Sequence, residues 1–437
     1  MNTIAIDCGA SFLKGALFQN NVIAKRAQRQ SPVVHGSEGL LEPVQINLLI
    51  PMVKDIILEL ASDVDSFVLC LSNEMHGFIL ANQDGLPYTD YISWQKEFGN
   101  EEIDGKSSAD ILKHEDFAED ILKSGMPLRG GLPSSNMLYL KRIGVLSDKP
   151  LFFYTLGDYI VRQLSGKEPL CHPTNAAATG LYDLLTGQWN SHLKETVSVI
   201  NISFPQIGIK PIYFIFEGHQ VVCLPAIGDQ QAALLGAGFE REDEISFNLG
   251  TGAQVSRLLR NFELSNNYQT RPYFNGFYLK SIPHLPSGRA LNVFIRFFKD
   301  VLQVFDVTKN DADIWNCLLN EERKCGHSDL KVDLSFFQTP LTDHEVGSID
   351  NIGEHELTVG KLMKAIINQM VFNYLVIADR LESDKYKIKR LVFSGGVARR
   401  IASLRDGIIS HYGKNIPVVV SEDETLVGLN KYAAHEV

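Results

Sequence analysis

The chain has 437 residues, of which 45% are hydrophobic and 21% are charged, and its formal net charge is -11. This composition is typical of a globular protein with two or three domains, and the negative charge argues against nucleic acid as the main partner. An anionic nucleotide remains compatible, because backbone amides can hold phosphates locally. No run of about 18 apolar residues occurs, so we expect no membrane span.

The cysteines and the N-terminal residues indicate the compartment. The six cysteines are scattered without a CxxC pair, which predicts small buried side chains rather than a disulfide framework or a zinc site. The first seven residues lack the basic and apolar regions of a secretory signal and predict a strand. Both features favour a cytoplasmic protein.

Strands and helices alternate along the first half of the chain, which predicts α/β layers. Between residues 97 and 149 we expect a helical insertion, and a charged run at 240–244 predicts a domain boundary. The predicted domains are therefore 1–241 and 242–437. The other predicted elements are strands at 4–6, 13–18, 66–71 and 391–394, and helices at 43–61, 154–164, 359–381 and 425–434.

The strand–turn–strand pattern of the opening is repeated near residue 245. Residues 7–11 (DCGAS) align in outline with residues 248–252 (NLGTG), and each group follows an apolar strand. Two such copies, one near the start of each half, indicate an internally duplicated fold.

Asp229 follows Gly228 and precedes an alanine-rich helix. A carboxylate at this position could take a proton from a substrate hydroxyl. A helix N-cap explains the same pattern, so both interpretations stand on these residues alone.

The two glycine-containing turns offer backbone amides and a Ser or Thr hydroxyl to phosphates. Together with the double glycine at 395–396, they could enclose ATP in a cleft between two domains. Lys14 could then meet a terminal phosphate, and Asp7 could anchor Mg²⁺ through water. Taken singly, each turn is equally typical of a tight hairpin without a ligand.

Three further side chains are candidates for contact with a sugar. Met75 and His76 follow the strand at 66–71 and could read sugar hydroxyls, although a half-buried histidine at a strand end would look the same. Trp94 could stack on a sugar face, although a lone tryptophan is often a core residue.

In combination, these segments resemble the FGGY carbohydrate kinases of the actin, hexokinase and heat-shock-70 superfamily. The resemblance runs from Met1 to the last helix. It is carried by residues 7–14 (DCGASFLK), 73–77 (NEMHG), 93–95 (SWQ), 158–160 (DYI), 175–183, 228–233 (GDQQAA), 250–252 (GTG) and 394–397 (SGGV).

The resemblance implies an α/β fold of two ribonuclease-H-like domains around a central cleft. It implies that Asp229 is the base that deprotonates a sugar hydroxyl for attack on the γ-phosphate of Mg-ATP. By carry-over, Met75, His76, Trp94, Asp229 and Gln230 lie on the sugar side. The nucleotide side comprises a first phosphate loop (Ala10, Ser11, Lys14), a second loop (Gly250, Thr251, Gly252), Gly288 and Asn292, and an adenosine segment (Gly395, Gly396, Val397).

Within the family, the Met-His-Gly element resembles the kinases of ketoses, and the predicted acceptor is sedoheptulose or xylulose. The chain departs from the family pattern in four places. Ala10 replaces a threonine, Glu74 a glutamine and Lys96 an aspartate, and Arg399-Arg400 follows the adenosine glycines.

These departures leave a second hypothesis, a weakly active or inactive nucleotide-binding sugar sensor on the same fold. A third is another phosphotransferase or a phosphohydrolase of the superfamily, whose turnover would not need a sugar. The expected partners are a small sugar and ATP, with neither nucleic acid nor membrane. A homodimer and a monomer both remain open.

Overall fold

A computed structural model describes residues 1–32, 40–146, 149–199, 201–421 and 423–436. The strands are β1 (Asn2–Cys8), β2 (Phe12–Gln19), β3 (Val22–Gln30), β4 (Ser66–Asn73), β5 (Ile79–Asn82), β6 (Glu102–Ile103), β7 (Lys106–Ser107), β8 (Leu151–Tyr154), β9 (Tyr182–Asp183), β10 (Gln188–Trp189), β11 (Ile202–Ser203), β12 (Ile212–Phe216), β13 (His219–Cys223), β14 (Ile227–Gly228), β15 (Glu244–Leu249), β16 (Ala253–Leu259), β17 (Gln269–Pro272), β18 (Tyr278–Leu285), β19 (Lys331–Asp333), β20 (Ser348–Asp350), β21 (Arg390–Ser394) and β22 (Val418–Val420).

The helices agree with most of the predicted ones in position. They are α1 (Val44–Ala61), α2 (Ser108–Leu112), α3 (Ala118–Ser124), α4 (Pro133–Arg142), α5 (Leu156–Ser165), α6 (Pro173–Ala177), α7 (Ser191–Val197), α8 (Asp229–Gly236), α9 (Gly288–Val304), α10 (Asp311–Lys324), α11 (Val359–Leu381), α12 (Gly396–Arg400), α13 (Ala402–Tyr412) and α14 (Glu424–Glu436). None of the described helices is both long and apolar enough to cross a bilayer.

The chain forms two compact units. Unit 1 comprises Met1–Gly236, Arg260–Tyr278 and Asp423–Val437, and unit 2 comprises Ala237–Leu259 and Leu279–Glu422. The predicted domains differ from these units at residues 237–241, which belong to unit 2, and in the two segments that return to unit 1. One return has a clear physical reason, because α14 lies directly on the backbone of α8: a Cβ atom on Gly428 would lie 1.8 Å from the carbonyl oxygen of Ala232.

Unit 1 is built on a mixed sheet with the strand order β12-β13-β4-β1-β2-β3. β1 is antiparallel to β2 and parallel to β4. Helix α1 packs on this sheet through buried residues at helical spacing, which are Ile46, Leu49, Val53, Ile56, Ile57 and Leu60. The predicted helix at 43–61 is therefore confirmed.

The start of α1 shows a long-range contact that its local sequence does not indicate. The residue before the helix, Pro43, provides no side-chain cap. Instead, the Asp90 carboxylate accepts hydrogen bonds from the backbone amides of Gln45, at 3.2 Å, and Ile46, at 3.0 Å. A carboxylate at this end also suits the helix dipole.

Unit 2 repeats the topology of unit 1. Its sheet contains the order β18-β16-β15-β21-β22, in which β15 is antiparallel to β16 and parallel to β21. Strands β15, β16 and β21 thus correspond to β1, β2 and β4. The α/β class is confirmed, and the shared strand order supports the predicted internal duplication.

The predicted insertion at 97–149 is less helical than expected. It contains the helices α2, α3 and α4, but also the short hairpin β6–β7. A separate apolar cluster forms beneath it around Phe78, Met137 and Phe153. The predicted helix at 154–164 begins later, because Tyr154 ends β8 and the side chain of Thr155 caps α5.

Candidate active site

Three adjacent strand ends in unit 1 bring three carboxylates together. In the parallel pairing of β1 with β4, Asp7 lies opposite Ser72. In the pairing of β14 with β4, Ile227 lies opposite Ser72 as well. Asp7, Glu74 and Asp229 therefore lie at the carboxyl edge of the sheet, where open α/β sheets bind their ligands.

Asp229 is the first residue of α8. Its carboxylate accepts a 2.7 Å hydrogen bond from the backbone amide of Gln230. The pKa of Asp229 is raised to about 7: burial is the largest cause, the charges of Asp7 and Glu74 act in the same direction, and the Gln230 amide and Arg271 oppose them. A carboxyl group with a pKa near neutrality is well matched to proton transfer at physiological pH.

Gly228 lets the chain pass closely under the side chain of Met75. A Cβ atom at this position would lie 2.5 Å from the Met75 sulfur and 2.6 Å from the Gln231 side-chain oxygen. The amide of Gly228 donates to the Thr174 hydroxyl at 3.1 Å. The glycine before Asp229 therefore has a packing role in addition to its role in the turn.

His76 lies between a backbone carbonyl and a guanidinium group. Its Nδ1 atom is 2.7 Å from the carbonyl oxygen of Ala178. Because a carbonyl only accepts, Nδ1 carries the proton in this contact. The other nitrogen, Nε2, faces the Arg271 guanidinium at 3.4 Å. The backbone of His76 has a φ of 67°, a conformation that non-glycine residues adopt mainly at special sites.

Glu74 lies under Tyr91 and Trp94. Burial raises the pKa of Glu74 to about 7, and the side chains of Tyr91 and Trp94 lower it in part. Glu74 is therefore only partly ionised at neutral pH, so it adds less than one full negative charge where the family pattern has a glutamine. Trp94 is 44% exposed, so its ring has a free face for a ligand. Lys96, another departure, is buried instead.

Arg271 belongs to the same group of residues, although no motif in the sequence marked it. It lies on β17 and is 4% exposed. Its guanidinium donates to the side-chain oxygens of Gln269, at 2.7 Å, and Gln230, at 3.2 Å, and contacts the Met75 sulfur at 3.5 Å. Of the predicted sugar-side residues, Met75, His76 and Gln230 are therefore linked through Arg271, and Asp229 lies within reach of its charge.

The first predicted phosphate loop is the β1–β2 hairpin turn. The Gly9 amide donates to the Phe12 carbonyl at 3.2 Å. Ser11 and Lys14 are exposed, and Ala10 is half-buried. Lys14 lies opposite Asp7 in the hairpin, and its charge lowers the pKa of that carboxyl.

The donors around Asp7 fit a magnesium ion held through water. Among the described residues, no cluster of three or more His, Cys, Asp or Glu side chains could hold a metal by protein ligands alone. Mg²⁺ commonly keeps several waters and uses one or two carboxylates with substrate phosphates. Asp7, oriented by the Ser72 hydroxyl at 2.9 Å, can supply such a carboxylate.

Unit 2 contains a cavity of about 360 Å³ at the ends of β15 and β21. Its lining includes six of the predicted nucleotide residues, together with Trp315, Arg400 and Ile401. These six are Gly250, Thr251, Gly288, Asn292, Gly396 and Val397. A cavity of this size is within the range of small-molecule sites.

Backbone contacts hold the lining segments together. The amides of Gly288 and Arg289, at the start of α9, donate to the carbonyls of Gly250 and Thr251 at 3.0 and 2.7 Å. Gly252 closes the turn, because its carbonyl accepts from the Gly250 amide at 3.0 Å. Gly395 has a φ of 90°. Gly252 and Gly395 thus shape the cavity without lining it.

Arg400 and Trp315 add a planar wall that the sequence did not indicate as a pair. The Arg400 guanidinium lies over the Trp315 ring, 5.5 Å from its centroid. Trp315 comes from α10, which carries none of the predicted site residues. Arg400, one of the two arginines that depart from the family pattern, therefore lines the cavity.

Residues 2–210 match the model of the N-terminal domain of the FGGY family of carbohydrate kinases. The glycerol kinase of Shewanella sediminis is 32% identical over 110 residues, 23% of this chain and 22% of that protein. The glycerol kinase of Mycoplasma genitalium is 26% identical over 208 residues, 42% of this chain and 39% of that protein. The matched parts thus span well under two thirds of these relatives.

Solved structures resemble the chain over its whole length. A xylulose kinase and a gluconate kinase of Lactobacillus acidophilus each have a TM-score of 0.82 at 20% identity, covering 100% of this chain and 89% of theirs. A xylulose kinase of Rhodospirillum rubrum has a TM-score of 0.84 at 15% identity, covering 99% and 89%. The predicted two-domain actin- and hexokinase-like fold is confirmed. Over residues 2–210, this chain is similar to the N-terminal domain of the FGGY family of carbohydrate kinases.

Proposed function

We propose that this protein transfers the γ-phosphoryl group of ATP to a hydroxyl of a small polyhydroxy substrate, with Asp229 as the general base. The observation that carries the proposal is the Asp229 carboxyl, whose pKa burial raises to about 7, at the edge of the sheet beside His76, Gln230 and Arg271. The sequence match over residues 2–210 supports the same reaction class.

In the proposed reaction, Asp229 takes the proton of the acceptor hydroxyl as its oxygen attacks the γ-phosphorus. The bond from that phosphorus to the bridging oxygen breaks, and ADP leaves. Such transfers depend mainly on positioning and on neutralisation of charge. Asp7 would hold Mg²⁺ through water, and the ion would neutralise charge on the phosphates.

The acceptor would be bound by the polar side chains around Asp229. The Gln230 amide, the Nε2 atom of His76 and the guanidinium of Arg271 present donors and acceptors for hydroxyl groups. The half-exposed ring of Trp94 offers an apolar face. Such a mixture of one flat apolar surface and several polar groups suits a polyhydroxy chain.

The nucleotide would be bound by the unit 2 cavity. The cavity wall formed by Trp315 and Arg400 offers a stacking surface for a base. Gly250, Thr251 and Gly252 would approach the phosphates.

The ketose predicted from the sequence, sedoheptulose or xylulose, stays a prediction. The similar solved structures include xylulose kinases and a gluconate kinase. Because these enzymes differ in their named substrates, the comparison does not identify the acceptor of this protein. The sensor hypothesis is supported by Ala10, which lacks the hydroxyl that a threonine would provide, and by Lys96, which is buried where the family pattern has an aspartate.

One assay tests the proposal. ADP release from Mg-ATP is measured against a panel of ketoses, sugar alcohols and sugar acids. The variant Asp229→Asn should lose about 10²- to 10⁴-fold in kcat, the usual contribution of a general base, while its affinity for the acceptor stays nearly constant. The matched control is Asp55→Asn, at an exposed position of α1. Equal turnover in the two variants would remove Asp229 from the role of base.

A further inference from the structure

Two arginines from distant parts of the sequence lie near each other in unit 1. Arg129 follows α3, and Arg271 lies on β17. Their segments are joined by a 2.8 Å hydrogen bond from the Thr270 amide to the Gly125 carbonyl. A Cβ atom on Gly125 would lie 2.2 Å from the Thr270 carbonyl oxygen. The two backbones are thus in direct contact, and the two guanidinium groups lie within reach of each other's charge.

The hydrogen-bonding capacity of Arg271 is not fully used. Its terminal nitrogens contact Gln269, Gln230 and His76. Its Nε atom is buried and has no hydrogen-bond partner among the described residues. A buried donor without a partner is costly, since it has lost its contacts with water.

Arg129 is half-buried. Its guanidinium makes no hydrogen bond or ion pair within the part of the chain that the structure describes. Burial lowers the pKa of Arg129, and the charge of Glu97 opposes this effect. Arginine has five donors in a fixed planar arrangement, so most of this capacity remains available to a ligand.

The charges around Arg271 do not balance locally. Burial has the largest effect and lowers the pKa of Arg271 to about 9. Repulsion by Arg129 comes next, and it exceeds the attraction by Asp229. Two like charges in a poorly solvated site destabilise each other. An anionic ligand between them would relieve this repulsion and would use the free donors.

We infer that Arg129 and Arg271 bind an anionic group of the acceptor, and that the acceptor is a small polyhydroxy carboxylate, a sugar acid. This inference rests on the proposed function, because it names the acceptor class for that reaction. We therefore expect a neutral ketose to be a poorer acceptor than a sugar acid.

A carboxylate fits this site better than a phosphate group. Asp7, Glu74 and Asp229 lie at the same edge of the sheet, and they would repel each added negative charge. A carboxylate brings one such charge, whereas a phosphomonoester brings about 1.5 to 2 at neutral pH. Both groups can pair with arginine in a bidentate manner, so the difference in charge decides between them.

The arrangement also orients the acceptor. Arg271 contacts Met75, His76 and Gln230, so a carboxylate bound to it would lie beside the side chains expected to bind hydroxyls. The charge of Asp229 would disfavour the approach of that carboxylate. A hydroxyl further along the chain of the sugar acid would therefore face the base.

The test compares acceptors that differ only in the charged group. ADP release from Mg-ATP by the full-length chain is measured with gluconate against sorbitol and with xylonate against xylitol. Xylulose and sedoheptulose serve as the ketose arm, and 6-phosphogluconate serves as the phosphate arm. The expected result is that one or more sugar acids exceed their reduced partners about tenfold or more in kcat/KM.

Two substitutions locate the recognition. Arg129→Gln and Arg271→Gln should each raise KM for the sugar acid about 10- to 100-fold, the usual effect of losing a charge-assisted hydrogen bond. The preference of each variant for the sugar acid over the polyol should disappear. Because Arg129 is less buried, its variant remains informative if Arg271→Gln does not fold. Arg29→Gln, at an exposed ion pair with Glu59, is the matched control.

Binding without ATP separates this inference from the proposed function. Calorimetry is performed with each sugar acid and its polyol. Turnover of ketoses or polyols at rates equal to those of the acids would overturn the inference and leave the kinase proposal intact. Preference for 6-phosphogluconate would overturn the choice of carboxylate.

If nothing is turned over, the kinase proposal fails. Tighter binding of a sugar acid than of its polyol, lost in both arginine variants, would still support the anion site. Equal binding of acid and polyol would overturn it.

Discussion

The Ser72 hydroxyl donates a 2.9 Å hydrogen bond to the Asp7 carboxylate, across the register in which these residues of β4 and β1 lie opposite each other. The pKa of Asp7 is raised to about 6, because the effect of burial exceeds the opposing effects of this hydrogen bond and of the Lys14 charge. Asp7 is therefore largely ionised and fixed in orientation at neutral pH. Both properties suit a carboxylate that binds the water shell of Mg²⁺.

The variant Asp7→Asn should raise the Mg²⁺ concentration needed for half-maximal activity about tenfold or more, since outer-shell partners of metals contribute effects of this size. The measurement is ADP release against Mg²⁺ at saturating ATP and acceptor. Asp55→Asn, on the exposed face of α1, is the control. An unchanged Mg²⁺ requirement in Asp7→Asn would argue against the proposed role of Asp7.

The pH profile should report the ionisation of Asp229. A general base acts in its deprotonated form, and burial raises the pKa of this carboxyl to about 7. The value of kcat/KM should therefore rise with pH up to about 7 and level off above it. Because the charge of Glu74 raises the pKa of Asp229, Glu74→Gln should move the midpoint to lower pH. Glu102→Gln, at an exposed position of β6, should leave the midpoint in place.

Gly395 should tolerate no side chain. It has a φ of 90°, and a Cβ atom there would lie 2.5 Å from the Leu249 carbonyl oxygen and 2.9 Å from the Gly250 amide. Gly144 has a φ of 72° and nothing within 4 Å of its Cβ position. Gly144→Ala should cost about 1 kcal/mol from backbone strain alone. Gly395→Ala should cost more and should weaken ADP binding. If urea unfolding shows equal losses in the free energy of unfolding for Gly144→Ala and Gly395→Ala, the steric argument is contradicted.

Tryptophan fluorescence should identify the nucleotide site. The chain has 3 tryptophans, of which Trp315 lines the cavity of unit 2. ADP should change the emission of the wild type and of Trp189→Phe, whose indole donates to the Pro205 carbonyl in the native protein. Trp315→Phe should remove this change. Persistence of the full signal in Trp315→Phe would show that ADP binds elsewhere.

Asp158 should make stability depend on pH. It is fully buried, and burial raises its pKa to about 7, above the ordinary value of 3.8. Its contribution to stability is therefore complete below about pH 4 and is lost as pH rises through 7, at about 1.4 kcal/mol per pH unit. The Asp158→Asn variant has no carboxyl at this position and does not lose stability in this way. The Tm of the variant minus the Tm of the wild type should therefore increase from pH 5 to pH 8. Parallel Tm curves would refute the assignment.

Several elements were predictable because their signals are local. The buried residues of α1 recur at helical spacing, and the strands β1, β2, β15 and β16 follow the two copies of one pattern around a turn. The six predicted residues that line the cavity come from short segments in which glycine and small residues permit close backbone approach. Local sequence places Gly250, Thr251 and Gly396 after strands, whereas Gly288 and Asn292 were assigned through the resemblance to the family.

Other features depend on residues far apart in the sequence. Asp90 caps α1 through contacts that cross about 45 positions, and Arg400 meets Trp315 from a different helix. No periodicity or spacing links such residues, because they meet only after the intervening chain has packed.

By itself, the sequence determined the two-fold repeat of the sheet, the carboxylate that begins α8 and the glycine turns at the strand ends, since these follow from hydrophobic periodicity and backbone preferences. Only the tertiary structure decided the electrostatics of the site. The pKa of Asp229 depends on burial and on Asp7 and Glu74, and Arg271 reaches Gln230 and His76 from β17. Charges interact through space rather than along the chain, so these properties exist only in the folded protein.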